Sequence, residues 1–129
     1  MTRAATAQSY ESRPILHSKL LIDDHPLQVL PDLAVAVGLN EAIVLQQLHY
    51  WIRRSTNIIE GHHWVYNTYE EWQAQFPFWS VSTIQRIFTS LEKGGVLIAQ
   101  KHNIQNWDQR KWYRIDYDVL NDKGVSLAK

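Results

Sequence analysis

One stretch of the chain, residues 76–98, constrains the fold more than any other; it reads FPFWSVSTIQRIFTSLEKGGVLI. Pro77 ends a preceding helix, because the residue before a proline is pushed out of the α-helical region. Ser80 is a favourable N-cap for a new helix, and Gly94 and Gly95 supply a left-handed C-cap. The apolar positions of that helix lie along one side: Val81, Ile84, Ile87, Phe88 and Leu91. The stretch therefore predicts two helices separated by a tight turn and followed by a strand.

The chain before this stretch carries start and stop signals for three helices. Pro31 suits the first turn of PDLAVAVG, which Gly38 would end. Asn40 is the predicted N-cap of EAIVLQQLHYWIRR, whose wide apolar face is typical of a central helix. In TYEE, Thr68 and Glu71 form a capping box, in which each side chain satisfies a free backbone N–H, and this predicts the third helix.

Strand signals are short and lie mostly in the second half of the chain. WVY, VLIAQ and KWYRID are predicted strands, and the last two flank a polar loop, KHNIQNWDQR. STNIIEGHH is predicted to be a loop with a turn at Gly61. The resulting domain prediction is a flexible N-terminal tail at 1–18, one domain at 19–120 and a C-terminal tail at 121–129.

Composition excludes several classes of protein. A chain of 129 residues suits one domain, and the absence of cysteine rules out a disulfide scaffold or a Cys-ligated zinc site. No apolar run approaches the roughly 20 residues that span a bilayer. The N-terminal MTRAATAQSYESRP lacks the apolar stretch of a signal peptide. We therefore expect a cytoplasmic protein without membrane association.

The six tryptophans divide into predicted core residues and less constrained ones. Trp51 and Trp72 occupy core positions of their helices, and we expect both to be buried. Trp79, in the tight turn, is predicted to pack against the core. Trp107, in the polar loop, suits a packing anchor and an exposed interface residue equally.

Basic residues are concentrated in one part of a chain whose formal net charge is zero. Residues 80–114 contain six basic and two acidic side chains, which gives this segment a net charge of +4. The neutral total argues against a nonspecific coat for nucleic acid, whereas the local excess permits one basic face.

The order of elements is typical of a winged helix-turn-helix, an α+β but mainly α fold in which a β-hairpin wing closes a three-helix bundle. The second helix of the pair then keeps its polar side outward, and a helix fits the major groove of DNA. Gln85 and Arg86 are predicted to read bases. The residues predicted to hold phosphates are Ser80, Ser82, Thr83, Lys93, Lys101, Arg110 and Lys111. The predicted DNA-binding residues are Ser80, Ser82, Thr83, Gln85, Arg86, Thr89, Lys93, Lys101, Asn103, Arg110 and Lys111.

Three segments also resemble a known family. They are GLNEAIVLQQLHYWI, GHHWVYNTYEEWQAQFPFWSVSTIQRIFTSLEKGGVL and KWYRIDYDVL. They look like the N-terminal winged-helix domain of phage- and plasmid-type replication initiation proteins, a group that includes DnaD-like primosome proteins of low-GC bacteria. The resemblance implies a DNA-binding or self-associating module at a replication origin. It covers about residues 33–120, with the recognition helix at about 80–93 and the wing at about 101–111.

Two alternatives remain open on the sequence alone. Such initiators usually continue into a second domain, whereas this chain stops at Lys129, so it is either a fragment or a small stand-alone protein. The same fold could serve as a protein-interaction module, either an oligomerisation domain or an inhibitor of a host protein, or as a small phage transcription repressor. The apolar arm KLLIDDHPLQVL could support a homodimer, and a replication protein or a host protein is a further expected partner.

Enzymatic and metal-dependent functions find little support. His49, His62 and His63 lack a ligand spacing typical of metal sites, so no metal site is predicted. Asp23, Asp24 and His25 are explained by a turn next to a proline. No nucleophile motif or Gly-rich phosphate loop is present, and we expect neither an enzyme nor a cofactor.

Overall fold

The structure, a computed structural model, describes residues 26–102 and 110–128, with side chains up to Gly124. The described residues form five helices and a four-stranded antiparallel sheet, so the protein is α+β and mostly helical. The helices are α1 (Pro31–Val37), α2 (Leu39–Arg54), α3 (Tyr69–Gln75), α4 (Val81–Lys93) and α5 (Tyr117–Ala128). The strands are β1 (Asn57–Ile59), β2 (His62–Asn67), β3 (Leu97–Gln100) and β4 (Lys111–Ile115).

The sheet brings distant parts of the chain together in the order β1-β2-β4-β3. Val65 on β2 lies opposite Tyr113 on β4, and Leu97 on β3 lies opposite Ile115. β3 and β4 form the hairpin that the sequence predicts. Helices, sheet and hairpin occur in an order that is compatible with a winged helix-turn-helix.

Helix α4 packs against both α2 and α3, and all three helices contact the sheet. Phe88 of α4 is fully buried and lies at the centre of an aromatic group. Its ring centroid is 5.0 Å from that of Tyr113, 5.7 Å from Trp72 and 5.8 Å from Tyr69. Because aromatic rings bury large areas, this group contributes a large share of the core.

The caps around α3 and α4 form as predicted. Thr68 accepts a hydrogen bond from the Glu71 amide at 3.1 Å, and the Glu71 carboxylate accepts one from the Thr68 amide at 2.8 Å. At the end of α4, Gly95 has φ = 80°, and the Val96 amide donates to the Leu91 carbonyl at 3.2 Å. Val96 and Leu91 are both buried, so the chain turns directly from the helix into the core.

The start of α2 differs from the prediction. Gly38, not Asn40, precedes the first helical residue, and its φ is 107°, a left-handed value that suits glycine. The Gly38 carbonyl accepts from the Ala42 amide at 2.9 Å. One glycine therefore ends α1 and begins α2, and no side chain caps the second helix.

The segment predicted as a loop contains strand β1. Ile59 pairs with His62, so the turn between β1 and β2 has two residues. Glu60 and Gly61 have φ values of 53° and 80°, and a type I′ two-residue hairpin turn requires positive φ at both positions. Glutamate rarely adopts positive φ, which is why the sequence indicated only a turn at Gly61.

The C-terminal part also differs, because residues 121–128, predicted to be tail, continue helix α5 to Ala128. Asp116 begins this helix: its Oδ1 accepts from the Val119 amide at 3.2 Å. Val119 and Leu120 pack against the core, and α5 contacts α1. The predicted N-terminal tail, residues 1–18, lies outside the described residues. Within the described ranges, no helix combines the length and apolar character needed to cross a bilayer.

Candidate nucleic-acid interface

Helix α4 has two chemically distinct faces. Its inner face is fully buried in the core through Ile84, Ile87, Phe88 and Leu91. On its outer face Ser82, Gln85, Arg86 and Lys93 are exposed, and Thr89 is half-buried at the border. The exposed set combines two amide or hydroxyl side chains with two cations, as the spacing of the sequence predicts.

The N-terminus of α4 uses some of the predicted hydroxyl groups internally. Ser80 Oγ accepts from the Thr83 amide at 3.2 Å and lies 3.0 Å from Thr83 Oγ1. Ser82 Oγ is 3.3 Å from Ser80 Oγ, on the exposed side of the same turn. Ser80 and Thr83 are therefore engaged in the cap, although Ser80, like Ser82, is exposed.

The cationic residues of the β3–β4 hairpin do not all face solvent. Lys101 is exposed, whereas Arg110 and Lys111 are half-buried. The Arg110 guanidinium lies 4.6 Å from the centre of the Tyr66 ring. Lys111 Nζ donates to the Tyr69 hydroxyl at 3.3 Å. Arg110 and Lys111 thus contact aromatic rings at the base of the hairpin, a role that their positions in sequence did not indicate.

Asn103, predicted to contact DNA, and Trp107 lie outside the described residues. Among the predicted DNA contacts in the described part of the hairpin, Lys101 is the one that is exposed.

Glu92, the acidic residue of α4, is turned away from the exposed face. It is half-buried, and its Oε2 has no hydrogen-bond partner among the described residues. Burial raises the pKa of the Glu92 carboxyl, and the positive charge of Lys111 only partly opposes this. No other Asp or Glu occurs in α4, so the helix presents Arg86 and Lys93 outward without a competing carboxylate of its own.

Glu92→Gln is expected to stabilise the protein at neutral pH. Because the pKa of this carboxyl is raised in the folded state, its ionised form destabilises the folded protein. The parent is therefore most stable, with respect to this group, at low pH, and it loses that stability as pH rises through the folded-state pKa. The gain of the variant over the parent should therefore disappear below about pH 4, where the carboxyl is protonated in both states. Urea unfolding across this pH range measures it. Glu70→Gln, an exposed change on α3, is the control, and an equal gain for both variants would contradict the burial argument.

The turn before α4 adds an exposed aromatic that the sequence analysis did not single out. Phe78 is 58% exposed, and its ring centroid is 4.8 Å from that of Trp79. Trp79 is half-buried and packs against the core, as predicted. The signal was present in FPFW, because a turn this short cannot bury three aromatic rings in succession.

The prediction for Trp51 is wrong, whereas the one for Trp72 is confirmed. Trp72 is 1% exposed, but Trp51 is 39% exposed. Trp51 Nε1 donates to Gln75 Oε1 at 2.8 Å, so the indole lies across the surface between α2 and α3. An indole N–H usually finds an acceptor, and that of Trp51 finds it on Gln75, a half-buried residue of α3.

Among the described residues, no group of three or more His, Cys, Asp or Glu side chains is arranged to hold a metal ion. Comparison of the chain with protein-family models, curated proteins and solved structures finds no match. The likeness to replication initiators therefore stays a prediction from the sequence motifs.

Proposed function

We propose that this protein is a winged-helix DNA-binding protein, with α4 as the helix that enters the major groove. The observation that carries the proposal is the outer face of α4, which exposes Gln85, Arg86 and Lys93 on a helix fixed by a buried inner face. A rigid helix with outward hydrogen-bonding and cationic side chains suits recognition of base edges and phosphates.

The order of the elements around α4 supports the same function. α3 and α4 are joined by a short turn, and β3 and β4 follow as a hairpin beside β2. In a winged helix this hairpin lies along the sugar-phosphate backbone while the second helix of the pair contacts bases. Lys101 is exposed at the end of β3, where a wing would meet a phosphate.

The residues then have distinct roles in the proposed complex. Arg86 pairs with guanine, and Gln85 with adenine, through two hydrogen bonds each. Ser82, Lys93 and Lys101 contact phosphates. Given the resemblance of its motifs, the protein would bind a replication origin of a phage or plasmid, and it would act in the cytoplasm, where such DNA is replicated.

Fluorescence anisotropy with a labelled duplex of about 20 base pairs tests the proposal. The full chain should bind, and the affinity should fall steeply as salt rises from about 50 to 200 mM, because phosphate contacts release counterions. Absence of binding at the lowest salt concentration would contradict the proposed function.

Lys101→Ala should weaken binding to all duplex sequences to a similar degree. Loss of one phosphate contact lowers the slope of log K against log salt by about 1. The measurement is the same salt series, repeated on two unrelated duplexes. Lys123→Ala, on α5, is the control and should leave the slope unchanged. A Lys101→Ala slope equal to that of the parent would remove Lys101 from the interface.

A second candidate function is self-association, and exposed apolar side chains around α1 favour it. They are Val29, Leu30, Val35 and Leu39, with exposed fractions of 42, 58, 70 and 57%. Exposed apolar patches commonly mark protein–protein contacts. Val29 and Leu30 lie in the described end of the predicted dimerisation arm. Sedimentation velocity of the parent and of Val35→Glu tests it: dimers that the variant abolishes support it, and a monomeric parent overturns it.

A further inference from the structure

A cavity opens between the C-terminal half of α2, strands β1 and β2, and helix α3. Its volume is about 370 Å³, the lower end of the range in which proteins bind small ligands. No residue of α4 or β3 is among its lining residues, so it is separate from the proposed DNA-binding face. The lining residues are Trp51, Arg54, Ser55, Asn57, Val65, Tyr66, Asn67, Trp72 and Gln75.

The Gln75 amide has a fixed orientation that leaves its donor side free. Gln75 Oε1 accepts from Gln47 Nε2 at 2.7 Å and from Trp51 Nε1 at 2.8 Å. Two donors fix the oxygen, and an amide oxygen has two lone pairs, so its capacity is filled. Gln75 Nε2 makes no hydrogen bond within the described residues, which leaves two N–H groups at the wall of the cavity.

A second donor in the wall lacks a partner although it is buried. Trp72 is 1% exposed, and its Nε1 has no acceptor among the described residues. Buried polar groups are nearly always hydrogen-bonded, so this N–H is an exception next to the cavity, although the Nε1 atom itself is closed off from solvent. Trp64 Nε1 is also buried without a partner. The Trp64 ring packs on His102, which directly precedes residues that the structure does not describe.

The charge of the cavity is positive. Arg54 Nη1 donates to the Tyr50 carbonyl at 3.0 Å, and the guanidinium lies 3.7 Å from the centre of the Tyr50 ring. These contacts hold the guanidinium in place and leave other N–H groups of its fork for a ligand. No Asp or Glu is among the described residues that line the cavity, while Val65 and the Trp51 ring give it an apolar wall.

We propose that this cavity binds a carboxylate carried on a small aliphatic body. A carboxylate only accepts hydrogen bonds, so it complements the free N–H groups of Gln75 and Arg54, while the Trp72 ring forms part of the wall beside it. Its single negative charge matches the single cation of the wall, and the aliphatic part packs on Val65 and Trp51. The source is either a free carboxylic acid or the C-terminus of a protein partner; both present the same chemistry. This inference is independent of DNA binding.

Titration of the ¹⁵N-labelled full chain with 4-methylpentanoate tests the site through its six indole N–H signals. The Trp72 signal should shift to saturation, and 4-methylpentanamide, which has the same shape without the charge, should bind about tenfold more weakly. Acetyl-Gly-Gly-Leu, with a free or an amidated C-terminus, separates the two sources. Tighter binding of the free-carboxylate peptide than of 4-methylpentanoate assigns a chain terminus, and the reverse assigns a free acid.

Three variants keep the test specific. Arg54→Gln should weaken 4-methylpentanoate about tenfold, because it removes the cation, whereas Arg53→Gln, on the same helix but outside the cavity, should not. Gln75→Glu keeps an acceptor for Gln47 and Trp51 and should repel the ligand. Absence of a saturable Trp72 shift, equal affinity for acid and amide, or equal effects of Arg53→Gln and Arg54→Gln would each overturn the proposal.

Discussion

Phe88→Ala is expected to lower the free energy of unfolding by about 3–5 kcal/mol. Phe88 is fully buried, and its ring contacts those of Tyr69, Trp72 and Tyr113. These three partners lie on α3 and β4, so they cannot close together over the missing ring without moving a helix or the sheet. The cost therefore includes both the lost burial of the ring and the cavity left behind.

Urea unfolding followed by far-UV circular dichroism measures this effect, with Phe78→Ala as the matched control. Phe78 is the same residue type, ten positions earlier, but 58% exposed. Its removal should change stability by no more than about 1 kcal/mol. A similar loss for the two variants would contradict the described packing of α4, on which the exposure of its outer face depends.

Arg86→Ala is expected to lose discrimination at one base pair, equivalent to about 1–3 kcal/mol. The Arg86 side chain is exposed at the middle of α4, where a helix in the major groove approaches base edges. Selection from a random duplex library with the parent protein first identifies the preferred site. The variant's affinities for that site and for its single-base substitutions then locate the lost contact.

The outcome for Arg86 separates base recognition from simple charge attraction. If the variant weakens binding to every sequence equally, Arg86 contacts a phosphate and not a base. If it binds every sequence like the parent, α4 is not the recognition helix. Arg53→Ala is the control, because Arg53 is an exposed arginine on α2 and its substitution removes the same charge far from the proposed recognition helix.

Local signals in the sequence predict helices α3 and α4 with their caps. The capping box at Thr68, the cap at Ser80 and the left-handed turn at Gly95 each depend on a few neighbouring residues. Such interactions are complete within one helical turn, so the residue types alone indicate them. The same reasoning applies to the exposed side of α4, because a helical period fixes which residues share a face.

Features that depend on contacts between distant residues could not be predicted in this way. Trp51 lies at the surface because its acceptor, Gln75, belongs to another helix. Lys111 contacts Tyr69, 42 positions away, and this draws a predicted phosphate contact toward the core side of the hairpin. β1 forms because β2 is available as a partner. In each case the sequence gives the residue type but not the neighbour.

The cap of α5 is an intermediate case, since its signal was present but was assigned to a strand. The alternation in KWYRID predicts a strand that includes Asp116. The strand ends at Ile115, and Asp116 instead caps the following helix through the Val119 amide. Aspartate is a poor strand residue and a preferred N-cap, so the identity of this residue was the better guide.

Backbone amide chemical shifts, recorded while duplex DNA is added to the ¹⁵N-labelled full chain at low salt, test the central claim most directly. The account predicts that the largest changes fall on the outer side of α4, at Ser82, Gln85 and Arg86, and at Lys101, and that they reverse when salt is raised. Unchanged α4 signals in the presence of DNA, or changes confined to α1 around Val35, would contradict it.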